Sequence, residues 1–159
     1  MSITAAEVNK LRQETGAGLM DCKKALVETN GDFEAAIDFL RKKGAKIAAN
    51  RAEREANEGV VIALTNEDST YGILLNLSAE TDFVSKNDEF IALAKEIAEL
   101  ALNTKPENVE ALNATPFKND TVANVLLDTV GRIGEKIEIK KFESVSGKGL
   151  VPYIHMGYR

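Results

Sequence analysis

The sequence is poor in the residues that carry most side-chain chemistry. It holds one cysteine, Cys22, and one histidine, His155. A lone thiol cannot close an internal disulfide, and one Cys with one His cannot build a structural zinc site. A Cys/His nucleophile pair would lack the third group that orients the base, and the two residues fall in different predicted domains. No G-x-x-x-x-G-K-[ST] loop is present, so the chain is not expected to hold a nucleotide of its own. The "SGKG" of residues 146–149 reads only as a glycine-rich turn. No apolar run approaches the roughly 20 residues of a membrane span. The opening "MSITAAEVNK" lacks the basic-then-apolar order of a signal peptide, and with the single thiol this predicts a cytoplasmic protein. Carboxylates are plentiful, but none forms a spaced pair on a cleft-forming loop. The inventory predicts a protein that is not an enzyme, needs no cofactor or metal, and works by contact.

A basic excess is missing too. The net charge is −5, and residues 1–58 hold ten Lys/Arg against ten Asp/Glu, while residues 59–159 hold ten against fifteen. An acidic second half argues against a direct nucleic-acid partner, because phosphate contacts depend on Lys and Arg. The cluster "RKKGAK" (residues 41–46) is the exception and reads as a solvated helix end, where cations complement the dipole. What remains is ordinary: 44% apolar and 28% charged residues over 159 positions describe a soluble globular chain. A single domain of this length buries roughly 70% of its unfolded surface, enough for a real core.

Periodicity divides the chain in two. Thr4 and Glu7 make a capping box that starts a helix and turns Val8 and Leu11 inward; "TGAG" (15–18) stops it. "LMDCKKALVETNG" predicts a second helix ended at Asn30-Gly31. Asp32 caps a third with Phe33, Ile37 and Leu40 at i, i+4 and i+7, closed by Gly44. Residues 1–44 therefore read as a small three-helix domain with a thin core. "AKIAANRAEREAN" (45–57) is mostly Ala and charge, so 45–58 reads as a solvated helical linker. From Gly59 the period changes. "VVIALT" and "YGILLNLS" predict two strands joined by "NEDST", with Tyr71, Ile73, Leu75 and Leu77 on one face. Asn87 caps a helix carrying Phe90, Ala94, Ile97 and Ala101, and "KPENVEAL" predicts a short helix with Pro106 at its first position. "DTVANVLLDTVGRIG" places Val122, Val125, Leu126, Thr129, Val130 and Ile133 on one stripe. "KIEIKKFESV" and "GLVPYIHM" predict a final pair of strands. The predicted fold class is α+β: a three-helix bundle, then a domain of antiparallel strands and helices over residues 59–159. The stop at "HMGYR", directly after a predicted strand, suggests the front part of a longer protein.

Two segments carry a resemblance. "LRQETGAGLMDCKKAL" (11–26) closely resembles the N-terminal signature of the bacterial elongation factor Ts family, and "NLSAETDFVSK" (76–86) resembles its second signature, whose hallmark is T-D-F-V. "GRIGEKIEI" and "YIHMG" are similar to later core segments, so the likeness runs along essentially the whole chain. The resemblance implies a guanine nucleotide exchange factor for the GTPase elongation factor Tu. It also implies a ubiquitin-associated-like three-helix domain followed by the first of two similar α+β core halves.

Residue by residue, the resemblance implies that Thr81, Asp82, Phe83 and Val84 meet the partner's G domain. Phe83 would be a wedge between its helices, and Asp82 would disturb the network that holds Mg²⁺. It further implies that Ile133 and Gly134 contact the same region, that His155 packs near the wedge as part of the partner-binding set, and that Arg12, Leu19, Met20 and Lys23 grip another G-domain helix. Bare sequence also admits Phe83 folding back onto Phe90 as a core residue, and Met20 as core. The rival function is a peptide- or helix-binding module of ubiquitin-associated type joined to an α+β dimerisation domain. Such a binder has no use for Asp82-Phe83 on a turn.

Overall fold

Thr4 opens the first helix in the computed structural model, which describes residues 3–157. Met1, Ser2, Tyr158 and Arg159, which belong to the terminal stretches "MSITAAEVNK" and "HMGYR", lie outside the described residues. Contacts group the chain into two units: one runs through Glu53 and adds Leu126–Glu135, the other comprises Arg54–Val125 and the described residues from Lys136 onward.

In the first unit, α1 (Ala5–Thr15) begins with the predicted capping box. The Thr4 amide donates to the Glu7 carboxylate at 2.8 Å, and the Glu7 amide donates to the Thr4 hydroxyl at 3.3 Å. Two orphan donors of the first turn are thereby satisfied. Helix α2 (Leu19–Glu28) runs from Gly18 to Thr29, and α3 (Phe33–Asn50) is capped by the Asp32 carboxylate, which accepts from the Ala35 amide. Val8, Leu11, Cys22, Ala25, Leu26 and Ala36 form the core, with Phe33, Ile37 and Leu40 packed against it. Only two of those six buried residues are leucines, so little apolar area stabilises the bundle.

Helix α3 does not close at Gly44. It continues to Asn50, so the 41–46 cluster lies inside the helix and not at its end. Two of its four cations are paired within the unit: Lys43 with Asp21 at 2.5 Å and Arg41 with Asp128 at 3.5 Å. Gly44 is present for a different reason. It is buried against α7 (Val122–Ile133), and a Cβ built on it would come within 2.4 Å of the Leu127 carbonyl oxygen. A methyl group there would overlap backbone, which cannot swing aside.

The second unit is built on a three-stranded antiparallel sheet of β1 (Glu58–Thr65), β2 (Tyr71–Ala79) and a late strand, Ile137–Ser146, in that order. The Asn66–Thr70 loop joins the first two, with Asn66 Oδ1 accepting from the Thr70 and Tyr71 amides. Ile62, Ile73, Leu75 and Leu77 lie on the buried face, while Val61 and Leu74 lie on the open one. After β2 comes α4 (Asp82–Ser85), a single turn, and then α5 (Asp88–Thr104). Asn87 caps α5 as predicted, and its Phe90, Ala94, Ile97 and Ala101 are buried where the helix meets β1 and β2.

Three details depart from expectation. The short helix α6 (Val109–Ala114) starts after Asn108, whose side chain accepts from the Ala111 amide, and Pro106 lies in the preceding connection. A small ribbon pairs β3 (Pro116–Phe117) with β4 (Asp120–Thr121) through Lys118 and Asn119, both at positive φ. The stretch 149–156 forms no strand. Pro152 offers no N–H, and Gly149 and Met156 adopt positive φ, so an extended ladder is interrupted at three places. The late strand, β5, therefore pairs with β2 alone. Its register shifts by one residue between Asn76/Lys141 and Leu77/Ile139, leaving Lys140 as a bulge. That extra residue lets Ile137, Ile139 and Phe142 all face the core despite the odd spacing.

Candidate partner-binding site

The Thr81–Val84 stretch stands where β2 gives way to helix. Thr81 is extended, and Asp82–Ser85 close one turn through Ser85 N–Thr81 O, Lys86 N–Asp82 O and Asn87 N–Val84 O bonds of 3.0–3.2 Å. Ser85 is buried and donates its hydroxyl to the Asp82 carbonyl, so the inner side of the turn is anchored. Asn87 then breaks the helical path with extended backbone before α5 starts. This break separates the two phenylalanines. Phe90 is 2% exposed and belongs to the core, whereas Phe83 is 85% exposed. The inward alternative for Phe83 is not what the chain adopts.

Asp82 stands beside it, half-exposed, with its carboxylate 2.5 Å from the Lys86 ammonium one helical turn on. The hydrogen bond and charge of Lys86 hold the Asp82 carboxyl below the usual aspartate range. The ion pair is open to solvent and hence screened, so another cation or donor can take the place of Lys86. Thr81 and Val84 flank the pair half-buried.

In the first unit, Leu19, Met20 and Lys23 lie exposed along α2, and Arg12 is exposed on the last turn of α1. Met20, 73% exposed, is not a core residue. Val27 is exposed on the same helix, one heptad beyond Met20, and helical spacing alone was the signal for it. Cys22 faces the other way, fully buried, with its sulfur 3.9 Å from Thr15 Oγ1 and 3.7 Å from the Ala17 carbonyl. Burial pushes its thiol pKa up and keeps it unreactive.

Ile133 is half-buried at the last turn of α7, and Gly134 ends the helix at φ 82° with its amide donating to Val130 O at 2.7 Å. That left-handed backbone suits glycine. His155 sits in the irregular terminal segment and not on a strand. Its Nδ1 lies 3.0 Å from the Tyr153 hydroxyl, and both rings are exposed. Two residues near the turn carried no sequence signal for a role: Glu80, whose carboxylate reaches across the sheet, and Lys86. Among the described residues no group of His, Cys, Asp and Glu could hold a metal ion, and no helix is long and apolar enough to cross a membrane.

The profile of the family described as elongation factor TS matches residues 80–159, just over half of the sequence and inclusive of the exposed turn. The chain belongs to the elongation factor Ts family. Elongation factor Ts of Flavobacterium psychrophilum is 53% identical over 156 residues, an alignment covering 98% of this chain and 56% of that relative. The Flavobacterium johnsoniae protein is 52% identical over 155 residues, covering 98% and 48%, and that of Rhodopirellula baltica 48% over 156 residues, covering 98% and 47%. The chain thus spans about half the length of the curated elongation factor Ts relatives it matches.

Proposed function

We propose that this chain takes part in translation elongation as a guanine nucleotide exchange element for elongation factor Tu, promoting GDP release by inserting Asp82-Phe83 near the partner's Mg²⁺ site. The observation that carries the reading is Phe83, a large apolar ring left in water on a turn anchored at both ends. Family membership supports it, since the curated relatives are elongation factor Ts proteins.

An exchange factor has no bond to make or break. It must bind the nucleotide-free GTPase better than the GDP-bound one, and by linkage it weakens GDP by the same ratio. A shift of about 10⁴-fold needs about 5.5 kcal/mol of differential binding. Burying one phenylalanine contributes about 1.5–3 kcal/mol, so Phe83 needs further contacts. The exposed Leu19 and Met20 with Arg12 and Lys23 supply a second grip on the GTPase, and Ile133, Gly134 and His155 add to the first. Asp82, held ionised in a solvent-exposed pair with Lys86, is suited to compete for the polar network around a bound cation. The reading places the work in the cytoplasm and requires no nucleic acid, membrane, cofactor or nucleotide on this chain's own side.

The test is release of a fluorescent GDP from elongation factor Tu. Phe83→Ala is expected to reduce the acceleration about ten- to a hundredfold while circular dichroism stays unchanged. Equal release with both chains would overturn the proposal.

A further inference from the structure

The β2–β5 ladder ends at the pair Ala79–Ile137. One residue beyond that last ladder pair a side chain joins the two segments: the Lys136 amide donates to Glu80 Oε1 at 2.7 Å. A carboxylate thus accepts from a backbone amide just past the ladder. Lys136 is itself held, its ammonium donating to the Arg54 carbonyl at 3.2 Å and lying 3.5 Å from Glu138. Four residues on, Lys140 donates to the Ala56 carbonyl and to Asn57 Oδ1, both at 3.0 Å. The lead-in to β5 is therefore a fixed post, and Glu80 ties the end of β2 to it.

What leaves Glu80 is the exposed turn. Thr81 makes no side-chain cap to that turn, and a single turn of four residues has little stability of its own. The direction in which the turn departs from the sheet is set at the peptides on either side of Glu80. A short charge-assisted hydrogen bond from that residue's own side chain restricts them. We propose that Glu80 is the positioning residue for Phe83: its bond to the Lys136 amide fixes the angle at which the ring is presented. The inference rests on the exchange-factor reading for its functional half and on backbone geometry for its structural half.

Three variants test it. Glu80→Ala removes the acceptor, Glu80→Gln keeps an Oε1 that can accept the same bond, and Phe83→Ala removes the ring. Amide hydrogen exchange at Ser85, Lys86 and Asn87 is expected to quicken about tenfold in E80A and to stay at the wild-type rate in E80Q, with the Leu75 and Leu77 amides unaffected in both. In GDP release from elongation factor Tu, E80A is expected to lose about tenfold and E80Q to match wild type. E80A should add nothing once F83A is present, because it acts through that ring. Unchanged exchange at Ser85–Asn87 in E80A, an E80Q as impaired as E80A, or additive losses in the double variant would each overturn the positioning role. If F83A alone leaves GDP release unaltered, the exchange-factor reading falls instead, and the hydrogen-exchange comparison still decides what Glu80 holds.

Discussion

A phenylalanine left in water forgoes the roughly 1.5–3 kcal/mol that burial would contribute. Phe83 forgoes it beside a neighbour of the same type that does not, and the difference is made by Asn87. In "DFVSKNDEF" the two rings stand seven residues apart, a spacing that one continuous helix would place on a single face. Asn87 interrupts that helix, and its side chain restarts it by accepting from the Glu89 and Phe90 amides. The cap is legible in the sequence. The outward direction of Phe83 is not, because it depends on how the preceding turn leaves the sheet. Glu7 is a second residue whose role was legible, and it sets a pH dependence. The Thr4 amide holds its carboxyl below the ordinary glutamate range. A depressed folded pKa favours the ionised form, so the contribution is complete above about pH 4.3, the unfolded value, and is lost as pH falls through the lower folded one. The Thr4 amide is therefore expected to lose exchange protection only as pH falls below about 4.3, with Glu7→Gln flattening the response. A flat profile in the unaltered chain would show that the box does not depend on charge.

Among the elements, α3 and α7 are the instructive pair. A glycine in a basic, helix-favouring run such as that around Gly44 reads naturally as a stop. Sequence cannot distinguish that glycine from one whose missing Cβ admits another helix, since the second helix is remote in the chain. Two effects compete in Gly44→Ala. Alanine gains about 1 kcal/mol of helix propensity. The new methyl group would stand 2.4 Å from a backbone oxygen, and such overpacking costs about 1–3 kcal/mol. The second is expected to win because a carbonyl in a hydrogen-bonded helix has nowhere to go. Urea denaturation should show a lower midpoint with an unchanged slope; a higher midpoint would mean that the crossing relaxes freely. β5 is the opposite case, because its irregularity is visible in the sequence. Apolar residues at 137, 139 and 142 break strict alternation, which is the mark of a bulge. The stretch 149–156 has the apolar content of a strand, while its proline and two left-handed positions deny it a ladder.

At the scale of the whole molecule, the α+β class and most elements followed from periodicity, but the composition of the first unit did not. The stripe on α7 shows that one face is covered and does not name the cover. The unit is discontinuous: three N-terminal helices with a segment, Leu126–Glu135, that returns from far along the chain. A chain cut after Glu53 keeps α1–α3 and lacks that segment, leaving the Gly44 face without the backbone that packs on it. Domains of this size bury too little surface to be robust. The Leu11 and Leu26 amides in the cut chain are expected to exchange at least about tenfold faster than in the intact one. Equal protection would show that the three helices are self-sufficient. The same discontinuity imposes a timetable on synthesis. The three helices leave the ribosome early, yet their last packing partner is translated only after both strands of the hairpin and the long helix α5. At about 5–20 residues per second the wait lasts several seconds, during which the nascent bundle keeps its glycine notch open.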